Sequence, residues 1–399
     1  MKGKEYLRIG TSIYKRAELP NGEETVIPWS SQAIFQDFGK DRGKVILAGM
    51  EKYDGWVNEP SHVNYQPFVG QWVNLYQPLP HEPRGGIDFP NIREFLQHIF
   101  GEKYELAVDY FQLLYRDPKQ KLPILLLVSK QRNTGKTTFL KFLKEIFGKN
   151  ATFNSNEDFR SQFNADWANK LLIMVDETFL NTREQAERLK NLSTATIYKA
   201  EAKGKDRVEV DFHGHFVLCS NNTTRPIIIE DGETRYWVIS VPRLESEDTL
   251  LMEKLIYEIP AFLDFLCHRK LSTERKSRMW FAPELYHTDA LDRIIANARE
   301  SIEADMADLL RRVFEATNIE EIHVCVKDVA LLLLAAGYRK DIKDRDIRRV
   351  FQCHWELNAE ANSYTYTTFE PAGLDNYKKT QKVGRFYTIS RNFIEKISF

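Results

Sequence analysis

The sequence predicts an α/β fold with a parallel sheet, and two observations carry that prediction. Four short runs are apolar at nearly every position, which is typical of strands covered on both faces. They are residues 123–128, 171–175, 215–220 and 236–241. Between the first two runs, residues 137–147 have an apolar stripe at helical spacing and follow a glycine-containing loop. Strand, loop, helix and strand in this order make a βαβ unit.

The length of the chain indicates more than one domain. Single domains usually hold about 100–200 residues, and this chain has 399, of which 43% are hydrophobic. We expect a small mixed amino-terminal region, a central α/β core and a winged-helix-like carboxyl-terminal domain. The expected parts are an irregular aromatic-rich accessory region (1–89), a helical collar (90–118), the core (119–245), a helical lid (246–283) and the winged-helix-like domain (284–399).

The segments on either side of the core have distinct patterns. Residues 1–89 are rich in aromatic residues, Pro and Gly, with short strand-like pieces and no long helical period. The lid has a helical pattern over residues 249–270 that we expect Pro260 to interrupt. The collar begins with a helix whose apolar face consists of Ile92, Phe95, Leu96, Ile99 and Phe100.

The carboxyl-terminal region has the spacing of a winged helix. Two helices, at 327–336 and from Asp344 onward, are separated by a glycine turn at Gly337. The β-prone strings 364–369 and 385–390 follow, and we expect them to form a hairpin across a polar loop. Basic residues at the start of the second helix are consistent with DNA contact, although winged helices also bind proteins.

Composition limits the setting in which the chain works. The 56 basic and 57 acidic residues nearly cancel, so any contact with nucleic acid must come from local clusters. The four cysteines are far apart and lie mostly in apolar stretches, as reduced thiols do inside a cell. The first residues lack the apolar core of a signal peptide, and no run is long enough for a membrane span. We therefore expect a cytoplasmic protein that does not contact a membrane.

The loop before the first core helix has the features of a phosphate-binding loop. Such a loop needs inward-facing backbone N–H groups, a lysine for the β and γ phosphates, and a Ser or Thr hydroxyl for magnesium. Lys136 and Thr137 match the last two requirements. The remaining residues expected to contact the nucleotide are Asn133, Thr134, Gly135 and Thr138.

One position departs from the usual pattern, because Lys130 stands where the first glycine of such a loop is expected. That glycine eases the turn out of the strand, so its loss has a conformational cost and removes no catalytic group. Two interpretations are open: Lys130 is a strained substitute for glycine, or it is an extra cation near the phosphates or the next subunit.

Polar residues follow two further strands. Asp176 and Glu177 end the second apolar run, where the first carboxylate can hold magnesium and the second can orient or deprotonate water. Asn221 follows the third run, and its amide can position the attacking water. Ligands of open α/β sheets bind at this edge of the strands, although Asn is also a favoured turn residue.

The strings RNTGKTT, LLIMVDE and FVLCSNN lie in this order within residues 132–222. They resemble motifs A, B and C of the superfamily 3 helicases. More closely, the stretch from FNADWANKLLIMVDE through KGKDRVEVDFHGHFVLCSNN to ETRYWVISVP resembles the helicase part of phage and mobile-element primase-helicases. The resemblance covers residues 90–270 and implies an AAA+-type P-loop ATPase core.

The resemblance also implies cofactors and partners. ATP and Mg²⁺ would be the cofactors, single-stranded DNA the substrate, and a homo-oligomeric ring, most often a hexamer, the working assembly. Lys203 and Lys205 fall on the family's pore hairpin, where they would contact DNA phosphates. In such rings an arginine of the neighbouring subunit completes the site; Arg235 matches it best, and Arg225 is the alternative.

These features lead us to expect an ATP-driven DNA helicase or translocase that replicates a phage, plasmid or mobile element in a bacterial cell. Any primase or polymerase would be a separate chain or would have been lost, because the residues before the core are too few for a typical catalytic domain. One alternative is an ATPase that loads a partner or acts as a defence switch without unwinding. Another is a transcriptional regulator that binds duplex DNA through the winged helix.

Overall fold

The structure is a computed structural model that describes residues 5–396, except 21, 23, 159–166, 179, 181–182, 201–207, 230–231, 339–341 and 374–375. The chain forms two compact units. Unit 1 comprises residues 1–179, 184–223 and 234–288, and unit 2 comprises residues 180–183, 224–233 and 289–399. Among the described helices, none is long and apolar enough to cross a lipid bilayer.

The amino-terminal part of unit 1 contains two small sheets and two helices. Its elements are β1 (Tyr6–Ile9), β2 (Ser12–Glu18), β3 (Glu24–Trp29), α1 (Ser31–Phe38), α2 (Lys40–Gly49), β4 (Glu51–Tyr53), β5 (Gly55–Val57), β6 (Phe68–Val69) and β7 (Trp72–Asn74). The sheets have the strand orders β3-β2-β1-β4 and β5-β7-β6. The sequence did not predict α1, which begins where the hydroxyl of Ser30 accepts a hydrogen bond from the N–H of Ala33 at 3.0 Å.

Two helices lead into the core: α3 (Pro90–Phe100) and α4 (Tyr104–Arg116). The five apolar residues predicted for the first helix are its buried residues. Pro90 starts α3, where its missing N–H is not needed. The carboxylate of Glu258 accepts hydrogen bonds from the N–H groups of Asn91 at 3.2 Å and Ile92 at 2.9 Å, and so caps the helix.

The core of unit 1 is a five-stranded parallel sheet with the order β14-β8-β13-β10-β9. Its elements and their connections are β8 (Ile124–Val128), α5 (Lys136–Phe147), β9 (Ala151–Phe153), β10 (Leu172–Val175), α6 (Arg183–Thr194), β11 (Ile197–Ala200), β12 (Val208–Asp211), β13 (His215–Ser220) and β14 (Tyr236–Ser240). The four predicted strands and their parallel arrangement are confirmed. The edge strand β9 was not predicted.

Unit 1 ends with α7 (Leu251–His268) and α8 (Pro283–Tyr286). The predicted interruption at Pro260 is wrong, because α7 continues through this residue. Phe262 of α7 packs with Phe111 of α4 and with Phe142 of α5, at ring-centroid distances of 5.6 and 6.4 Å. These aromatic contacts join the lid helix, the collar helix and the first core helix in one hydrophobic core.

Unit 2 contains helices and two two-stranded sheets. Its elements are α9 (Asp289–Thr317), β15 (Glu321–Val324), α10 (Val326–Ala335), α11 (Asp344–Arg349), a π-helical turn (Val350–His354), β16 (Tyr364–Gly373), β17 (Asn376–Gly384), β18 (Tyr387–Ser390) and α12 (Arg391–Lys396). The predicted hairpin is wrong in its pairing: β16 pairs with β17, and β18 pairs with β15. The segment predicted as a polar loop is therefore the strand β17. The winged-helix arrangement itself stays a prediction.

Candidate functional site

The candidate site begins with residues 129–135 between β8 and α5, here called the glycine loop. Asn133 (φ 56°) and Gly135 (φ 86°) both have left-handed backbones. A Cβ atom at Gly135 would lie 3.0 Å from Cε2 of Phe95 on α3. Gly135 is thus required both by its backbone conformation and by the close approach of Phe95.

Lys130, which stands in place of a glycine, is exposed and is not among the residues with a positive φ angle. Glycine would relieve backbone strain at this position only if φ were left-handed. Of the two interpretations open at the sequence level, a strained substitute for glycine is therefore wrong.

Lys136 lies at the start of α5 and is 6% exposed. Its Nζ donates hydrogen bonds to Oγ1 of Thr134 at 3.2 Å and to Oδ1 of Asn221 at 3.1 Å. Burial lowers the pKa of Lys136, while the neighbouring Cys219 and Asp176 act in the opposite direction. Both hydrogen-bond acceptors are neutral oxygens, so the ammonium charge is available to an anionic ligand.

Thr137 and Asp176 form the second half of the site. The hydroxyl of Thr137 donates to Oδ2 of Asp176 at 2.8 Å, and the N–H of Glu177 donates to Oδ1 at 3.1 Å. Glu177 has a left-handed backbone (φ 56°) and an exposed side chain. A hydroxyl and a carboxylate side by side are hard oxygen ligands of the kind that Mg²⁺ prefers.

The order of the strands explains why these residues meet. In a parallel sheet all strands end at the same edge, and β13 lies between β8 and β10. The glycine loop, Asn221 and Asp176 follow β8, β13 and β10, respectively. The structure thereby brings together Thr134, Lys136, Thr137, Asp176 and Asn221. Thr138 is half-buried in the first turn of α5.

Two supports of the glycine loop could not be predicted from sequence motifs. On α3, Nε2 of His98 lies 3.1 Å from the carbonyl oxygen of Thr134 and donates to it. After β14, the N–H of Leu244 donates to the carbonyl of Asn133 at 3.0 Å. Neither residue belongs to a motif, and both reach the loop only through the tertiary fold.

Arg235 lies at the opposite end of the sheet from the glycine loop. It immediately precedes β14, and its carbonyl accepts a hydrogen bond from the N–H of Ile124 at 2.7 Å, where β8 begins. The loop follows the other end of β8, and a five-residue strand spans about 16 Å. Arg235 therefore lies far from the site of its own chain. The alternative, Arg225, is exposed.

A β-hairpin occupies the place predicted for the pore hairpin. Strands β11 and β12 pair antiparallel, from Ile197 opposite Asp211 to Ala200 opposite Val208. Lys203 and Lys205 lie outside the described residues. At the base, Nζ of Lys121 donates to the carbonyl of Phe212 at 2.9 Å, which attaches the hairpin to the core.

Comparisons with known proteins concern the core and the whole fold. A model of a family of unknown function (DUF5906) matches residues 127–235, less than half of the chain. No curated protein matches the chain.

Solved structures of the C-terminal region of NrS-1 match 98% of the chain. Two of them, both apo forms, have TM-scores of 0.59 at 17% identity, with 96% and 97% of those chains covered. A third has a TM-score of 0.56 at 18% identity. This chain shares their fold. At such low identity the similarity shows the fold alone.

Proposed function

We propose that this protein is an ATP-dependent DNA helicase or translocase of the superfamily 3 type that acts in replication of a phage, plasmid or mobile element. One observation carries the proposal. A buried lysine, a hydroxyl–carboxylate pair and an amide from three neighbouring parallel strands meet at one edge of the sheet. This is the set of groups that phosphoryl transfer from a nucleotide requires.

The residues present fit ATP and Mg²⁺ as cofactors. Lys136 has a buried ammonium group with no carboxylate bonded to it, which suits phosphate oxygens. Thr137 and Asp176 already share a hydrogen bond and would together hold the metal. Bound ATP with Mg²⁺ supplies the transferable phosphoryl group and a cation that neutralises its charge.

The remaining residues have separate roles in this proposal. Glu177, exposed at the end of β10, orients or deprotonates the attacking water. Oδ1 of Asn221 is bonded to Lys136, so its amide NH₂ is the group presented to the water or the γ phosphate. Because Arg235 is far from its own chain's site, it serves the site of a neighbouring subunit in a homo-oligomeric ring, which we propose to be a hexamer.

Movement along single-stranded DNA would involve the β11–β12 hairpin. Its two described strands end on either side of residues 201–207, which include Lys203 and Lys205. We propose that these lysines contact DNA phosphates in the pore of the ring, and that a primase or polymerase acts from a separate chain. The resemblance of the core motifs to those of phage and mobile-element primase-helicases supports this role in replication.

The proposal is tested by measuring ATP hydrolysis with and without single-stranded DNA, together with strand displacement on a forked duplex. We expect Mg²⁺-dependent hydrolysis that rises with single-stranded DNA, and displacement of the annealed strand. Hydrolysis without stimulation by any nucleic acid would exclude a DNA motor. Stimulated hydrolysis without displacement would favour an ATPase that loads a partner or acts as a switch.

Gly135→Ala provides a test of the loop geometry. The left-handed backbone and the contact with Phe95 should make this change cost about 1–3 kcal/mol of stability. Because the loop N–H groups would shift, we expect ATP turnover to fall about 10–100-fold.

A matched control for this change lies at the other end of α5. Gly148 also has a positive φ (54°), and a Cβ atom there would lie 3.1 Å from Cδ of Pro80. Gly148→Ala should therefore lower the free energy of unfolding by a similar amount while turnover is retained. Equal losses of turnover in both variants would mean that stability, and not loop geometry, limits activity.

A further inference from the structure

Three basic side chains near the glycine loop are exposed. They are Lys130 and Arg132 in the loop and Arg243 after β14. Among the residues that the structure describes, none of the three forms a side-chain hydrogen bond, ion pair or cation–π contact. Some exposed basic residues elsewhere in unit 1 do pair with carboxylates, as Lys254 does with Asp248 at 2.7 Å. Glu245, two residues beyond Arg243, is also exposed and pairs with none of the three.

Backbone hydrogen bonds hold Arg243 beside the loop. The N–H of Val241 donates to the carbonyl of Val128 at 2.9 Å, and the N–H of Leu244 donates to the carbonyl of Asn133 at 3.0 Å. The segment 241–244 thus runs along the loop from its beginning to its last turn. Arg243 immediately precedes Leu244, and Arg132 immediately precedes Asn133. Because the hydrogen bond between Leu244 and Asn133 joins the two segments, the backbones of Arg243 and Arg132 lie close together.

The charge of Lys130 has no conformational explanation. Its φ lies outside the left-handed region, so the backbone accepts any residue at this position. A lysine there adds a positive charge to a loop that already has Lys136 inside it. With Arg132 and Arg243, the chain places three more cations around one anion-binding loop, although its net charge is only −1.

We propose that Lys130, Arg132 and Arg243 form a cationic rim that binds the outer phosphate oxygens of a nucleoside triphosphate. The rim makes the site favour a triphosphate over a diphosphate, since the terminal phosphate adds charge at the mouth of the loop. This inference rests on the proposed function, because it requires that the glycine loop bind a nucleotide.

A nucleotide is a better ligand for the rim than DNA. The β11–β12 hairpin joins the sheet at the start of β13, whereas the rim lies at the ends of β8 and β14. These are opposite edges of the same parallel sheet, about 16–20 Å apart. The rim is therefore linked by hydrogen bonds to the nucleotide site and is separated from the hairpin proposed to contact DNA.

The test compares the wild-type protein with a triple variant, Lys130→Met, Arg132→Met and Arg243→Met, which keeps unbranched side chains of similar length. Dissociation constants are measured for fluorescent, non-hydrolysable ATP and for fluorescent ADP, at low and high salt. We expect about tenfold weaker binding of the triphosphate, equivalent to about 1.4 kcal/mol, and a clearly smaller loss for ADP. The difference should shrink at high salt, because the rim is exposed.

Two control variants distinguish a loss of nucleotide affinity caused by the rim from one caused by removing any surface charge or by relieving backbone strain. Lys141→Met removes an exposed, unpaired lysine from α5 and should leave both dissociation constants nearly unchanged. Lys130→Gly should weaken triphosphate binding as much as Lys130→Met does, since there is no left-handed strain for glycine to relieve.

The outcomes distinguish the inference from the proposed function. If the wild type binds neither nucleotide, the proposed function fails, and the inference with it. If the wild type binds both and the triple variant binds them equally well, only the rim is wrong. The rim proposal would also be wrong if the triple variant lost affinity equally for both nucleotides, or if Lys141→Met lost as much affinity as the triple variant. It would likewise be wrong if the triple variant changed subunit assembly without a change in nucleotide affinity.

Discussion

Lys136→Ala is expected to reduce ATP turnover roughly 10²–10³-fold or more. A loss of this size is typical when a group that stabilises transition-state charge is removed. The ammonium is held between Thr134 and Asn221, at 3.2 and 3.1 Å, and no other described cation is bonded to either of these oxygens. Alanine would remove the charge and also leave Oδ1 of Asn221 without its donor. We therefore expect both nucleotide affinity and turnover to fall.

The measurement is steady-state hydrolysis with saturating single-stranded DNA, accompanied by thermal unfolding of each variant. Lys136 is buried, so its replacement could act through stability, and the unfolding curve separates the two effects. Lys141→Ala, on the exposed face of the same helix, is the matched control and should retain wild-type turnover. Residual turnover within threefold of wild type in a folded Lys136→Ala protein would contradict the assigned role of the lysine.

The strands of the core could be predicted because the sequence shows their burial directly. Four runs that are apolar at nearly every position leave few alternatives to a covered sheet. The edge strand β9 has only three residues, and Phe153 is half-exposed, so it lacks this pattern. Strand β17 is mostly polar, and among the described strands it pairs with β16 alone. Its sequence therefore has no clear alternation of polar and apolar residues that would distinguish it from a loop.

The residues of the candidate site could be predicted one by one, but their contacts could not. Asp176, Asn221 and the glycine loop each follow their own strand, and that can be recognised locally. The bond between Lys136 and Asn221 joins residues 85 apart and depends on β13 lying next to β8. No local pattern specifies that strand order. The helix α3 was predicted from its apolar face alone, whereas His98 lies outside that face and contacts the loop.

The buried carboxylate of Asp109 shows the same limit and leads to the largest expected effect on stability. A carboxylate on an amphipathic helix is usually exposed, yet Asp109 on α4 is 0% exposed. It accepts a hydrogen bond from the guanidinium of Arg269 at 2.5 Å. Ser272 and Thr273 each donate two more, one from the backbone N–H and one from the hydroxyl. The chain after α7 is thereby attached to α4.

Asp109→Ala should lower the free energy of unfolding by about 3–5 kcal/mol, because it removes the buried counter-charge of Arg269 and leaves four other donors without their acceptor. Urea unfolding measures this loss. The control is Glu105→Ala, which removes a second carboxylate, 3.4 Å from the same guanidinium but 69% exposed. An exposed pair contributes about 0–1 kcal/mol, so similar losses in the two variants would mean that burial is not the cause.

The pH dependence of this difference follows from the pKa of Asp109. Burial raises that pKa, but hydrogen bonds from Thr273, Ser272 and Arg269 outweigh burial and bring it below the ordinary value of 3.8. A carboxylate with a depressed pKa in the folded state contributes its full stability above the unfolded-state pKa and loses it as pH falls through the folded-state pKa. The wild-type advantage over Asp109→Ala should therefore be constant near neutral pH and shrink below about pH 4. A difference that persisted unchanged in acid would mean that Asp109 stabilises the fold by shape and not by charge.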